Sequence, residues 1–220
     1  MIRIQFALLL ALGLAAPAFA DDQGDVDKVN GAITIDDGGS AGKLTTVNGG
    51  IRIGANAHVK SAETVNGGIQ VGADSTLDSV ESVNGGIKLG SKAKVAKTVD
   101  VVNGSITLDR GADIAGKASN VNGGIQLDAA HVGGGIDTVN GDVTVGANSR
   151  VEGGIVVEEN HSWFSSNSRK PRIVIGPHAV VQGTLKFKRE VDLWVSDSAT
   201  IGAVEGATAQ KFSGDQPPAN

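Results

Sequence analysis

Four histidines, His58, His131, His161 and His178, are the side chains best suited to general acid–base work or to holding a transition metal. None of their separations matches a zinc pair. Counted from the repeat described below, no two share an offset, so the sequence predicts surface histidines. Asp36, Asp109 and Asp128 do share one, and Asp109 with Asp128 would stand one coil apart, as a pair of carboxylates for calcium. Calcium-binding solenoids carry Gly-Gly-x-Gly-x-Asp at a period of about nine residues. This chain lacks that period, and no metal or other cofactor is predicted. An acyltransferase of the hexapeptide-repeat kind would use a histidine base on a loop leaving the coil, which here would be His161. No glycine-rich or basic pocket accompanies it, and the export signal described below separates the chain from cytosolic acyl donors. Polysaccharide cleavage would need convergent carboxylates, whereas the charges read as scattered. The expectation is a protein that is not an enzyme.

Binding chemistry is better represented. Trp163 and Phe164 sit together in a polar stretch, and Trp194 lies between Leu193 and Val195, so strand alternation turns it outward. The three could form a platform for a glycan or a protein partner. The favoured arrangement folds the loop over Trp194 and buries it.

Around these residues the composition is narrow. The chain has 220 residues with 32 Gly, no Cys and no Tyr, and a net charge of −5. An acidic balance without a basic cluster argues against nucleic acid. Residues 1–20 read as a cleaved signal peptide: Arg3 is the basic start, Phe6 to Ala16 the apolar run, and Ala18-Phe19-Ala20 the cleavage site. The run is shorter than the roughly 20 residues of a membrane span. The expected location is therefore periplasmic or secreted, with Asp21 as first residue and no span after removal of the signal. With no cysteine, neither a disulfide framework nor a lipid-anchored cysteine is expected.

What must position any site is a repeat. Val-Asn-Gly-Gly-Ile occurs at Val47, Val65, Val83 and Val121, and looser copies begin at Val29, Val102 and Val139, so the starts are 18, 18, 18, 19, 19 and 18 residues apart. Four and six residues after each Val come paired aliphatics, as in Ile51/Ile53, Ile69/Val71 and Ile87/Leu89. Further aliphatics follow near offset 12 (Val59, Leu77, Val95) and near offsets 15 and 16 (Ala62, Val80, Val99). Each repeat thus holds three short strands whose apolar side chains face one way. The reading is all-β, a single parallel β-solenoid over residues 21–205 with about nine triangular coils of about 18 residues, each strand ~4.8 Å from its equivalent in the next coil. A helix would lose ~1 kcal/mol at every repeated glycine. Asn-Gly is read as the sharp corner, using left-handed backbone angles. Stacking should set Asn48, Asn66, Asn84, Asn103, Asn122 and Asn140 in one column, bonded up and down as a structural ladder.

The pattern breaks at residues 158–170, read as a loop leaving the solenoid. It resumes without Asn-Gly: Ile173 to Val181 parallels Ile51 to Val59, and Leu193 to Ile201 parallels Ile69 to Leu77. At the start, residues 21–28 read as a polar lead-in, and Asp36 to Lys43 as a softened second strand. Residues 206–220 read as a partly disordered tail, with Phe212 able to fold onto the last core layer.

The repeated V-N-G-G-I with its Ile-x-Ile strands resembles the β-strand-repeat families of bacterial adhesins, and Ile173 to Ile201 resembles the coils of bactofilins, which form polymers. The resemblance covers roughly residues 26 to 205 and implies a structural or adhesive role outside the cytoplasm. It supplies no catalytic residues. The expected partners are a second copy, meeting an open solenoid end, and a cell-wall or surface glycan.

Overall fold

A computed structural model of the chain describes residues 24–160 and 169–218. The segment read as a signal and the loop residues His161, Trp163 and Phe164 lie outside the described residues.

The described chain is all β, a parallel solenoid in which every strand pairs with its equivalent one coil away. Among the described residues no helix is long and apolar enough to cross a membrane. One side is a ten-stranded sheet in chain order, starting at Ile33–Ile35, Ile51–Ile53 and Ile69–Val71 and ending at Asp192–Ser196 and Gln210–Phe212. We call it the isoleucine side. Ile33, Ile51, Ile69, Ile87, Ile106, Ile125, Val143, Ile173 and Leu193 stack in register along it, none more than 2% exposed. Alternation puts a second aliphatic inward two residues on and the intervening side chain outward. The core is thus a set of continuous aliphatic columns.

The other two sides share one sheet. In the first coils they are spanned by unbroken nine-residue strands, Ser40–Asn48, His58–Asn66 and Thr76–Asn84. From Lys94 each divides into a two-residue strand on a short side and a longer one on what we call the asparagine side, such as Lys94–Val95 and Val99–Asn103. An added residue causes the split: Leu77 pairs Val95, 18 positions on, but Val80 pairs Val99, 19 on. The extra residue pushes the corner outward and ends the strand.

Several expectations change. There are ten rungs on the isoleucine side rather than nine, because Gln210–Phe212, in the segment read as tail, pairs with Asp192–Ser196 and buries Phe212. Val26–Asn30, read largely as lead-in, is a strand against Ser40–Asn48, and Ser40–Asn48 itself begins midway through the stretch read as a softened strand. None of the repeated asparagines has a positive φ, although the glycines after four of them do (Gly31, Gly85, Gly104 and Gly123, 104–159°), and the left-handed corner proper lies elsewhere. It is a column after the isoleucine side, Gly38, Asn56, Asp74, Lys92, Gly111, Ala129, Asn148 and His178, with φ between 43° and 76°. The glycine of Val-Asn-Gly answers mainly to close approach: a Cβ on Gly67 would lie 2.1 Å from the Gly49 carbonyl oxygen. At this corner backbones of successive coils touch, and a side chain has no room.

Candidate functional site

In-register stacking turns each outward residue of the repeat into a column. On the asparagine side three columns run together. The first is Asp27, Thr45, Glu63, Glu81, Asp100, Ser119 and Asp137. Glu63, Glu81 and Asp100 occupy consecutive rungs, ~4.8 Å apart, and like charges directly across a ladder repel. Burial first, then the charges of Glu63 and Asp100, push the Glu81 carboxyl above its ordinary value. Burial also pushes Asp100 up, aided by Asp137 and opposed by hydrogen bonds from Thr98 and Ser119. Lys43 reaches Glu63 at 2.8 Å, a bond that raises the Lys43 ammonium, and Lys117 holds Asp137 at 2.7 Å.

Beside the carboxylates runs an apolar column of half-exposed Val47, Val65, Val83, Val102, Val121 and Val139, with Val29 at the first rung 61% exposed. Beyond it are the repeat asparagines. Each Nδ2 donates to the Oδ1 of the coil before it: Asn48 to Asn30 at 3.0 Å, Asn66 to Asn48 at 2.9 Å, Asn84 to Asn66 at 3.0 Å, then Asn103, Asn122 and Asn140 in turn at 2.9–3.0 Å. The amides all point the same way and, except for half-buried Asn140, are exposed. The column ends where Arg189 donates to Asn140 Oδ1 at 2.7 Å. Behind it, inward hydroxyls of Thr46, Thr64 and Ser82 donate to the corner carbonyls of Gly31, Gly49 and Gly67. Asn120 takes that inward place in a later coil, accepts from Thr138 Oγ1, and has no partner for its Nδ2 among the described residues.

The histidine expectation needs correction. His58 and His131 stand in one outward column of the short side, Ser40, His58, Thr76, Lys94, Asp113, His131, Arg150, Val180 and Thr200. Leu127 and Val132 are one residue closer in sequence than Leu108 and Ile114, and that deletion hid the shared phase. The two rings are four rungs apart, too far to share a metal. His58 Nδ1 meets Thr76 Oγ1 at 2.7 Å, and His131 Nδ1 meets Asp113 Oδ1 at 2.5 Å. His131 Nε2 lies 3.6 Å from Glu152. Glu152 in turn accepts from Arg150 Nε at 3.0 Å, which holds its carboxyl below the ordinary range. His178 occupies the left-handed corner. Asp109 pairs with Lys88 at 3.1 Å, and Asp128 lines a cleft described below. Among the described residues no three His, Asp or Glu side chains are grouped to hold a metal.

Trp194 is half-buried and outward on the isoleucine side, between Val174 and Gln210. Its proposed companions Trp163 and Phe164 fall outside the described residues. The base of their loop is tied down: Asp142 takes Arg169 at 2.6 Å and the Arg172 amide at 2.8 Å, and Lys188 holds Glu158 at 2.6 Å. Among the open clefts along the described solenoid, two are sizeable. One, of about 780 Å³, crosses the bends of the nine-residue strands and is lined by His58, Lys60, Thr76 and Asp78. The other, of about 540 Å³, lies between Gln126, Thr144 and Val174 and the returning segment Asp215 to Pro217. Arg172 anchors that segment by donating to the Pro218 carbonyl at 2.6 Å.

No family model, curated protein or solved structure matches this chain. The functional reading therefore rests on its own surface. Sequence reasoning missed the carboxylate column, although it was readable two residues before each repeat Val. It also missed Arg189, for which no local signal exists.

Proposed function

We propose that the chain is an exported, non-enzymatic solenoid with a structural or adhesive role in a bacterial cell envelope. The observation that supports this most is the asparagine side, where carboxylate, valine and amide columns run parallel over successive rungs. Such a surface offers a valine and an amide every ~4.8 Å, with carboxylates on most of the same rungs, and suits a partner that is itself repetitive, such as a polymer or an ordered array. The signal-like residues 1–20 and the resemblance to adhesin repeats and bactofilins support the location. Expression of the full chain with a C-terminal tag, followed by fractionation and N-terminal sequencing, tests export: the expected product starts at Asp21 in the envelope fraction. An uncleaved cytosolic product would overturn it. Adhesion is tested by binding to isolated envelopes, where Glu63→Lys with Glu81→Lys should weaken retention.

A second reading, glycan binding through the C-terminal aromatics, is favoured by the half-exposed, outward position of Trp194. Retention on purified cell-wall glycan should then fall in Trp194→Ala and in Trp163→Ala. Retention unchanged in both removes the aromatic platform while leaving the columnar surface in place. A loop-histidine acyltransferase would instead show turnover abolished by His161→Ala.

A further inference from the structure

Asn30, Asn48, Asn66, Asn84, Asn103, Asn122 and Asn140 are each followed by glycine. In such a pair the glycine backbone nitrogen can attack the asparagine side-chain carbonyl carbon. A C–N bond forms, the bond to the side-chain nitrogen breaks, and ammonia leaves with the proton of the attacking amide. Water then opens the five-membered imide at either carbonyl, leaving aspartate or isoaspartate. Glycine permits the approach because it has no Cβ. The step needs the glycine N–H free and the side chain turned onto it.

The fold opposes both requirements along most of the column. Gly49, Gly67, Gly85 and Gly104 donate their N–H to the asparagine carbonyl of the following coil at 2.9–3.0 Å, whereas Gly123 makes no such bond among the described residues and Asn122 is held through its side chain alone. The preceding asparagine side chains are held by a neighbour on either side. At the far end Arg189 holds Asn140, and the Gly141 N–H donates to Thr138 Oγ1 at 3.0 Å. Asn30 differs. Its Oδ1 accepts from Asn48, but its Nδ2 has no acceptor among the described residues. It ends Val26–Asn30, a strand paired on one side only, with four of its five residues exposed. Edge strands of this kind open first.

We propose that Asn30 is the site of spontaneous deamidation in the folded protein, and that the stacked column shields the other six Asn-Gly pairs. The polarity of the column makes the same residue the one that tolerates the product. A carboxylate at position 30 still accepts from Asn48 and loses no donor that was in use. A carboxylate at position 84 would face the Asn66 Oδ1 with no proton between two acceptors.

The test is peptide mapping by mass spectrometry of the full chain, incubated at mildly alkaline pH either folded or in guanidinium. Unfolded, all seven asparagines should convert at similar rates. Folded, Asn30 should convert at least about tenfold faster than any of the others, reflecting opening at the frayed rung without opening of the stack. Equal rates at Asn30 and Asn84 in the folded chain, whether both fast or both slow, overturn the proposal. Thermal melts give a second check: Asn30→Asp should match the parent and Asn84→Asp should melt lower. An Asn30→Asp melt displaced as far as that of Asn84→Asp refutes the polarity argument.

Discussion

Arg189 closes the asparagine column by donating through its guanidinium to Asn140 Oδ1, the one ladder acceptor left without an asparagine above it. The same guanidinium reaches the Val139 and Arg169 carbonyls at 3.3 Å, so it also pins the loop base to the stack. Arg189→Met should cost about 2 kcal/mol, within the range for hydrogen bonds to a charged group. Lysine should recover only part of this, since it lacks the planar fork. Chemical denaturation of both variants checks the ranking, and an unchanged midpoint in Arg189→Met removes the cap.

Within the column, Asn84 gives one bond to Asn66 and takes one from Asn103. Both lie at the surface, where water competes, so Asn84→Ala should destabilise by only about 1 kcal/mol. Asn84→Asp should cost more than alanine, because it adds an acceptor-to-acceptor contact. Equilibrium unfolding that ranks alanine below aspartate in stability would show that the amide direction is wrong.

Two neighbouring glycines separate steric need from sequence habit. A Cβ on Gly67 would fall 2.1 Å from the Gly49 oxygen and 2.5 Å from its carbonyl carbon, whereas one on Gly68 comes no closer than 3.1 Å to the Gly86 oxygen. Gly67→Ala should therefore destabilise by about 3 kcal/mol or more and Gly68→Ala by about 1 kcal/mol or less. Comparable melting temperatures for the two would mean that the coils can move apart at this corner.

The carboxylate column sets a pH dependence with a definite sign. Glu81 and Asp100 bind their protons more tightly folded than unfolded. Their contribution is fully present below the ordinary carboxylate range and is lost as pH rises through the raised folded values. Glu152 and Glu190 are held below that range by Arg150 and Lys170, and they act oppositely at lower pH. Glu81→Gln should raise the melting temperature at neutral pH and reduce the gain seen on mild acidification. A variant that melts below the parent at neutral pH would show that burial of the charged carboxylate, with the repulsion of its stacked neighbours, is not the controlling effect.

The isoleucine side was legible because a parallel ladder copies sequence period into space: Ile51 and Ile69 are 18 apart and meet directly. Legibility failed where the count slips. His58 and His131 share a column hidden by one missing residue, and Gln210–Phe212 forms a rung whose first two side chains are polar. The carboxylates looked scattered because Thr45 and Ser119 interrupt them. Arg189 lies 49 positions from Asn140, so only the assembled stack brings them together.

Val151 meets Val181 as directly as Val132 meets Val151, although 30 positions separate the first pair and 19 the second. The corner that emits residues 158–170 is thus a splice point, where added chain leaves the rungs on either side in register. Closing a longer excursion costs only about 0.6 kcal/mol for each doubling of its length. A segment of different length or sequence at that corner would leave the aliphatic columns beneath it unaltered.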